Sequence, residues 1–188
     1  MKLASRAWTG NRFCAVAEPH LVALQRRTGE TVHLGILSGA EVVYLDKIEA
    51  QGAIRMHSQI GNASPVYCTG VGKAALAALP DALTRAIVDA IDFRRFTDRT
   101  IADPDRLWAE VEDVRRTGNA FDREEHEAGI VCVAAPIHSA DRRFVAGVSG
   151  TGPAFRVDGA ALEGWAPLLR RTAAAIMDDM GTKLGPRG

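Results

Sequence analysis

The chain has 188 residues, of which 47% are hydrophobic and 24% are charged, and its formal net charge at pH 7 is zero. These values are ordinary for a single soluble globular domain with a full hydrophobic core. Three scattered cysteines exclude a disulfide framework, and the absence of a membrane-length apolar run or a secretory signal predicts a cytoplasmic protein with no membrane partner. Without a basic stripe or a helical reading motif, this chain is not expected to bind DNA by itself.

The N-terminal part predicts one helix followed by a pair of strands. Apolar residues recur at helical spacing from Phe13 onwards, whereas residues 1–12 lack periodicity and are expected to precede the helix or to form its tail. Pro19 predicts a kink or a start within this helix, and Gly29 ends it. Residues 31–37 and 42–48 then alternate as strands joined by a short hairpin connection.

The middle of the chain predicts a third strand and three helices. The strand is expected at residues 54–57, followed by a loop through Pro65. An alanine-rich helix opens at residues 69–73, and a second helix, residues 81–91, carries Leu83 on its apolar stripe. Asp103 is the expected N-cap of a third helix, with proline at its first position. The last predicted helix begins after Asp158 and is bent or restarted at Pro167.

Residues 121–153 hold the most informative pattern, a β-hairpin of two apolar runs at 130–137 and 144–151 around a polar turn. A tight turn at residues 139–142 would pair Cys132 with Ser149 and Ile130 with Thr151. Because residues two apart share a face, these four side chains would line one surface. A thiol and two hydroxyls in an apolar setting favour the wall of a small-molecule pocket, although a one-residue slip would reverse the face. Together the elements predict an α+β domain built on a mostly antiparallel sheet.

Two glycine motifs suggest enzyme classes that the spacing excludes. Residues 70–73 (GVGK) resemble a phosphate loop, but Tyr67 and Ala74 occupy the positions that require glycine and a hydroxyl residue. A glycine-rich helix start still suits an anion such as a carboxylate, and close packing of the helix on the sheet is an equally good interpretation. Residues 147–151 (GVSGT) have threonine where a nucleophile elbow requires its second glycine.

Thiol and metal chemistry have weak support. His138 lies too far along the strand from Cys132 to activate it, and the acidic neighbours of His126 oppose a thiolate. Without a CxxC or HxxxH spacing, we expect no metal site, and nothing in the sequence calls for a cofactor. Cys132 is then a small buried apolar residue or a pocket residue. The acidic run 122–127 is most simply a solvated turn, from which Asp122 stands out at the sheet edge.

Six segments, in order along nearly the whole chain, together resemble the C-terminal effector-binding domain of IclR-type bacterial transcription regulators. They are residues 28–34 (TGETVHL), 42–47 (VVYLDK), 70–74 (GVGKA), 121–126 (FDREEH), 129–137 (GIVCVAAPI) and 149–153 (SGTGP). The resemblance implies a GAF-like α+β fold with a curved sheet flanked by helices. It assigns residues 1–12 to the end of an inter-domain linker, 13–181 to the effector-binding domain and 182–188 to a C-terminal tail.

The resemblance also implies a site. When the pocket of the family is carried onto the matching positions of this chain, it combines backbone N–H groups, polar side chains, apolar walls and one acid. In that order, the residues are Gly70 and Val71; Ser149, Thr151 and Cys132; Met56 and Ile130; and Asp122. Ala53 and Ser64 stand near the pocket mouth where family members often carry larger apolar residues. These two positions suggest a roomier or more polar site.

The expected function is sensing of a small molecule, an organic acid, without catalysis. In the family, the operator is read by an N-terminal winged helix-turn-helix, which this chain lacks, and members associate as dimers or tetramers. Effector binding would bias DNA affinity through a rearrangement of the oligomer. The alternatives are a GAF-like thiol redox enzyme that uses Cys68 and Cys132, and an accessory protein that acts through heterodimers.

Overall fold

The computed structural model describes residues 2–50 and 58–184. Five α-helices and six strands are formed in this part of the chain, with one 3-10 turn, Val66–Cys68, before α2. In chain order they are α1 (Lys2–Thr28), β1 (Thr31–Ser38), β2 (Glu41–Ile48), β3 (Ala63–Pro65), α2 (Gly70–Ala78), α3 (Asp81–Asp89), α4 (Pro104–Thr117), β4 (Ala120–Arg123), β5 (Ile130–His138), β6 (Val145–Pro153) and α5 (Gly159–Leu184).

The described strands form one curled sheet in the order β3-β2-β1-β6-β5-β4, and each neighbouring pair is antiparallel. Helices α1 and α5 pack on one face against a core that includes Leu21, Val148 and Ile176. Helices α2 and α4 cover the other face, where Leu76, Val111 and Ala134 are buried. This arrangement confirms the predicted α+β class and its antiparallel sheet. No helix in the described part of the chain is both long and apolar enough to cross a membrane.

The helix boundaries follow local chemistry. Thr69 and Asp103 accept hydrogen bonds from the N–H groups of Gly72 and Arg106, as N-caps do, and Gly118 ends α4 with a positive φ of 80°. The long helix α1 continues through Pro19, so the expectation that a helix starts there is wrong. The fully buried Phe13 and Leu21 on either side of Pro19 hold both halves on the sheet, which offsets the lost backbone hydrogen bond. Helix α5 likewise continues through Pro167.

The register of the β5–β6 hairpin differs from the predicted one by two residues. Cys132 pairs with Thr151, Ala134 with Ser149, and Ile130 with Pro153. The turn is longer than expected because the N–H of Ser139 donates to the carbonyl of Phe144 (3.0 Å), so the turn extends to residue 144. An even slip changes the partners but keeps each side chain on its face, so the predicted shared surface is retained.

Two other expectations differ from the structure, and a third is not tested by it. Leu83 is 54% exposed and does not belong to the buried stripe of α3, which consists of Thr84 and Val88. A strand, β3, forms at residues 63–65, where a loop was expected. The strand predicted at residues 54–57 lies outside the described residues.

Two glycines allow α2 to pack closely on its surroundings. A methyl group on Gly72 would lie 2.4 Å from the Cα and the carbonyl oxygen of Val66, and one on Gly70 would lie 2.6 Å from the sulfur of Cys132. Real side chains do not reach such distances, so a larger residue at Gly70 would push the start of α2 away from the sheet, and one at Gly72 would push it away from the preceding 3-10 turn. This geometry supports the close-packing interpretation of the GVGK segment.

We predict that Gly72→Ala destabilises the fold by about 1–3 kcal/mol, because the added methyl meets backbone atoms that cannot yield cheaply. Gly159→Ala is the matched control, since a methyl there has no neighbour within 4 Å. Urea unfolding followed by circular dichroism measures both variants. Equal stabilities of the two would contradict the packing argument.

Candidate functional site

A small cavity lies between the start of α2 and the sheet face that α2 covers. Its volume is about 60 Å³, and its walls come from β1, β2, β4, β5, β6, the start of α2 and the loop after β4. The lining residues are His33, Tyr44, Ser58, Thr69, Gly70, Val71, Asp122, His126, Glu127, Ile130, Cys132, Ser149 and Thr151.

The structure brings together seven of the eight residues expected at the site, from Gly70 to Thr151, around this one cavity. The eighth, Met56, and the mouth residue Ala53 lie outside the described residues. Ser64 is buried on β3, where it pairs with Val42 of β2. Ser64 is not among the residues that line the cavity, and the expectation of a roomier or more polar site stays a prediction.

The start of α2 forms one wall and offers backbone donors. The Thr69 hydroxyl donates to the carbonyl of Pro65 (2.8 Å) and accepts from the N–H of Gly72 (3.2 Å). Gly70 and Val71 are the first two residues of the helix, where N–H groups have no acceptor within the helix and the dipole is positive. No Lys or Arg is among the described lining residues, so within the described part of the cavity this helix start is the main electropositive element.

The opposite wall carries a chain of polar side chains. One ring nitrogen of His33 lies 2.7 Å from the hydroxyl of Ser58, and the other lies 3.3 Å from the hydroxyl of Thr151. The Thr151 hydroxyl is in turn 3.4 Å from that of Ser149. Burial first, and the charge of Lys47 second, lower the pKa of His33 to about 3, so its imidazole is neutral at physiological pH.

His33 and Tyr44 line the cavity but were not expected there from the sequence, although both strands carried a usable signal. With Val32 and Leu34 on the buried face, alternation places His33 on the other, and the β1–β6 pairing sets His33 opposite Ser149. Alternation from Val42 likewise places Tyr44 on the face of Gly35, with which it pairs. A bulge between these pairs and Leu34 then shifts the register of the rest of β2.

Asp122 lines the cavity from β4 and holds the acidic loop. Its carboxylate accepts from the N–H of Glu125 (2.8 Å), and only 6% of the residue is exposed. Burial and, secondly, the charge of Glu125 raise the pKa of Asp122 to about 7. The expected solvated turn is therefore partly wrong, because Asp122 and Glu125 are buried.

Glu125 belongs to a buried ion pair that joins this loop to α2. The ammonium of Lys73, which is fully buried, lies 2.7 Å from one carboxylate oxygen of Glu125 and 3.1 Å from Glu110 on α4. Burial acts to lower the pKa of Lys73, but the two carboxylates outweigh it and the net shift is upward. Lys73 is thus occupied by carboxylates, which explains physically why the GVGK segment is not a phosphate loop.

The geometry does not favour thiol or metal chemistry. Burial is the main reason that the pKa values of Cys68 and Cys132 are raised, with the charge of Asp122 adding to it, so both thiols stay protonated and unreactive. Among the residues that the structure describes, no group of three His, Cys, Asp or Glu side chains is arranged to hold a metal ion.

Comparison with known proteins gives a consistent result. The family model "Bacterial transcriptional regulator IclR C-terminal" matches residues 7–178. The transcriptional regulator XynR of Escherichia coli K12 is 37% identical over 88% of this chain, and KdgR of the same strain is 32% identical over 96%. The chain spans 66% of the length of XynR and 68% of that of KdgR.

Two solved structures are informative. The IclR protein of Thermotoga maritima superimposes with a TM-score of 0.86 at 36% identity, covering 98% of this chain and 74% of that one. The inducer-binding domain of a PobR double mutant from Acinetobacter, in complex with 3-hydroxybenzoic acid, has a TM-score of 0.78 at 26% identity, covering 87% of this chain and 96% of that one.

The fold and the matches define the chain as the effector-binding domain of a bacterial transcription regulator. It belongs to the IclR family, whose members are regulators and not enzymes. The resemblance seen in the sequence is confirmed, and so is the GAF-like α+β fold.

We predict that Lys73→Met destabilises the domain by about 3–5 kcal/mol, because it leaves the buried carboxylate of Glu125 without its cation. The double variant Lys73→Met/Glu125→Leu is expected to recover most of this loss, since apolar groups of similar volume replace both charges. Urea unfolding of the two variants measures the difference. A double variant no more stable than Lys73→Met would contradict this account of the pair.

Stability is also expected to depend on pH through Asp122. Since its pKa is about 7 in the folded state and 3.8 ordinarily, the folded state binds the extra proton between these values, and stability falls as pH rises through this window. Asp122→Asn keeps an oxygen for the N–H of Glu125 but has no proton to lose. From pH 4 to pH 8 the variant should gain on the order of 2–4 kcal/mol relative to the wild type. Urea unfolding across this range tests it, and parallel curves would refute it.

Proposed function

We propose that this chain senses a small organic acid and thereby controls operator binding by an N-terminal winged helix-turn-helix domain in the full-length regulator. One observation carries the proposal: the start of α2 and the polar wall of β1 and β6 converge on a single cavity in a domain of the IclR family. The complex of the PobR domain with 3-hydroxybenzoic acid supports an acid as the ligand class.

The carboxylate of the effector binds at the start of α2 in this proposal. Gly70 and Val71 are the first residues of α2, where the helix dipole favours negative charge. Ser149, Thr151 and Cys132 face the polar part of the ligand, while Ile130 and Met56 contribute apolar contacts. Asp122 holds the acidic loop through the N–H of Glu125, and in its protonated form it does not repel the bound anion.

Control of DNA binding requires differential affinity. The effector shifts the oligomer towards the arrangement that it binds better, and the attached DNA-binding domains follow that shift. We propose a dimer or tetramer in the cytoplasm that contacts operator DNA only through the N-terminal domains. The zero net charge of this chain supports the assignment of DNA contacts to another domain. The domain assignment is 1–12 for the end of the linker, 13–181 for effector binding and 182–188 for the tail.

A redox function for Cys68 and Cys132 is not favoured. A reactive pair requires at least one thiol with a lowered pKa, and burial raises the pKa of both.

A thermal-shift screen of small organic acids on this chain tests ligand binding. At saturating concentrations, an acid that binds the cavity should raise the Tm by several degrees, because ligand binding to the folded state alone stabilises it. Ser149→Ala and Asp122→Ala should reduce this shift. Ser38→Ala, which removes an exposed hydroxyl at the far end of β1, is the control. A shift that survives both cavity variants would place the binding site elsewhere.

Regulation is tested in the full-length protein. Addition of an acid found in the screen should change the elution of the oligomer in size-exclusion chromatography and its affinity for operator DNA by about 5- to 150-fold. The Ser149→Ala variant should need a higher concentration of the acid for the same change in elution and in DNA affinity. DNA affinity that stays constant at saturating acid would exclude this mode of control.

A further inference from the structure

We propose that Phe96 holds the ring of His126 closed over the mouth of the cavity, and that small molecules enter when these two rings separate. The inference concerns access to the cavity, and it rests on the proposed function only in treating the cavity as the binding site. Opening of such a gate can be measured without any effector, so the gate and the proposed function can fail independently.

The exposure of the lining residues indicates where solvent meets the cavity. Most of the described lining residues are buried, including Cys132 with 6% exposure. Glu127 is the one exposed residue among them, and its neighbour His126 is half-buried. Both belong to the loop of residues 124–129, which joins β4 to β5. This loop therefore forms part of the rim of the cavity.

The two ends of the rim loop are held with different firmness. Near one end, the buried carboxylate of Glu125 lies 2.7 Å from the ammonium of the fully buried Lys73. At the other end, Gly129 is exposed, has a positive φ of 80°, and has open space where a Cβ would lie. Glycine has more backbone freedom than any other residue. Residues 126–128 can therefore move about this glycine without breaking the buried ion pair.

Phe96 contacts the movable part of the loop from outside the cavity. The ring centroids of Phe96 and His126 are 4.9 Å apart, and the rings are inclined at 57°. An aromatic pair in this geometry is attractive but weak, so it can open and close at equilibrium. Since 38% of Phe96 is already exposed, the rings can separate without opening the core.

The segment between α3 and α4 fixes the position of Phe96. The hydroxyl of Thr100 accepts from the N–H of Phe96 (3.0 Å) and donates to the carbonyl of Glu125 (2.7 Å). Thr100 is only 1% exposed, so breaking these hydrogen bonds would leave buried polar groups without partners. Phe96 is thus tied to the anchored end of the rim loop, and His126 is the ring that moves.

Cys132 reports whether the gate is open. Its thiol lines the cavity and is shielded from solvent when the rings are in contact. When opening and closing are fast relative to the chemical step, the rate of thiol modification is proportional to the open fraction.

The test is modification of Cys132 by methyl methanethiosulfonate, followed by mass spectrometry of the peptide that contains it. Phe96→Ala should speed the modification by roughly 2- to 10-fold, which corresponds to the loss of one aromatic pair. Phe96→Tyr keeps the ring and should react like the wild type. Phe155→Ala is the matched control, because Phe155 is 78% exposed and does not line the cavity.

A double-variant cycle separates the gate from a general loss of stability. His126→Ala removes the other ring, should speed the reaction at least as much, and keeps the test decisive should Phe96→Ala fail to fold. In the His126→Ala background, Phe96→Ala should have no further effect, because its partner is gone. An equal acceleration in both backgrounds would show that Phe96 acts in another way and would overturn the gate.

Cys68 is the internal reference, since it is 0% exposed in the core beneath α2 and should keep its wild-type rate. If Phe96→Ala accelerated Cys68 as much as Cys132, wider unfolding would be admitting the reagent, and the proposed gate would be wrong. An unchanged rate at Cys132 in Phe96→Ala would contradict it as well. These outcomes hold whether or not an acid is found in the thermal-shift screen, which tests the proposed function separately.

Discussion

The close approach of α2 to the sheet is the constraint on which the site depends. The helix start can present its N–H groups to the cavity because Gly70 lies against the sulfur of Cys132 and Gly72 against the backbone of Val66. A larger side chain at Gly70 would separate the helix from the sheet, and one at Gly72 would displace it from the 3-10 turn that precedes it. The glycines that resemble a nucleotide-binding loop thus serve a different purpose, which is to bring an electropositive helix end into contact with a polar sheet surface.

Charged side chains next to the cavity are neutralised by ion pairs that lie outside it. Lys73 follows directly after the helix start but is directed to Glu125 and Glu110, so the cavity has no cation of its own from this segment. The ion pair fixes the loop that Asp122 begins, and burial of Asp122 lowers the negative charge that an incoming anion meets. Under the proposed function, the described part of the cavity therefore offers an acid backbone donors and neutral polar side chains, with no arginine or lysine among its described lining residues. Hydrogen bonds from such donors are directional, but without a charged donor their electrostatic contribution to the free energy of binding is modest.

The sequence predicts short-range features and misses those set by long-range pairing. Caps at Asp103 and the glycine end of α4 are local, and both are found where expected. The shared face of Ile130, Cys132, Ser149 and Thr151 follows from the twofold period of a strand, and it is retained because the hairpin slip is even. His33 enters the site only through the pairing of β1 with β6, which joins residues more than a hundred positions apart. No local pattern specifies such a partner. The helix α1 shows the converse, since local proline chemistry is outweighed by packing on the sheet.

The bulge between β1 and β2 allows a change in chain length that leaves the cavity intact. Gly35 pairs with Tyr44 and Leu34 pairs with Asp46, so Leu45 is the one extra residue between them. Deletion of that residue would restore a regular ladder and keep every other side chain of β2 on its face. Related domains can therefore differ in length by one residue at this point and still hold an aromatic ring beside the cavity.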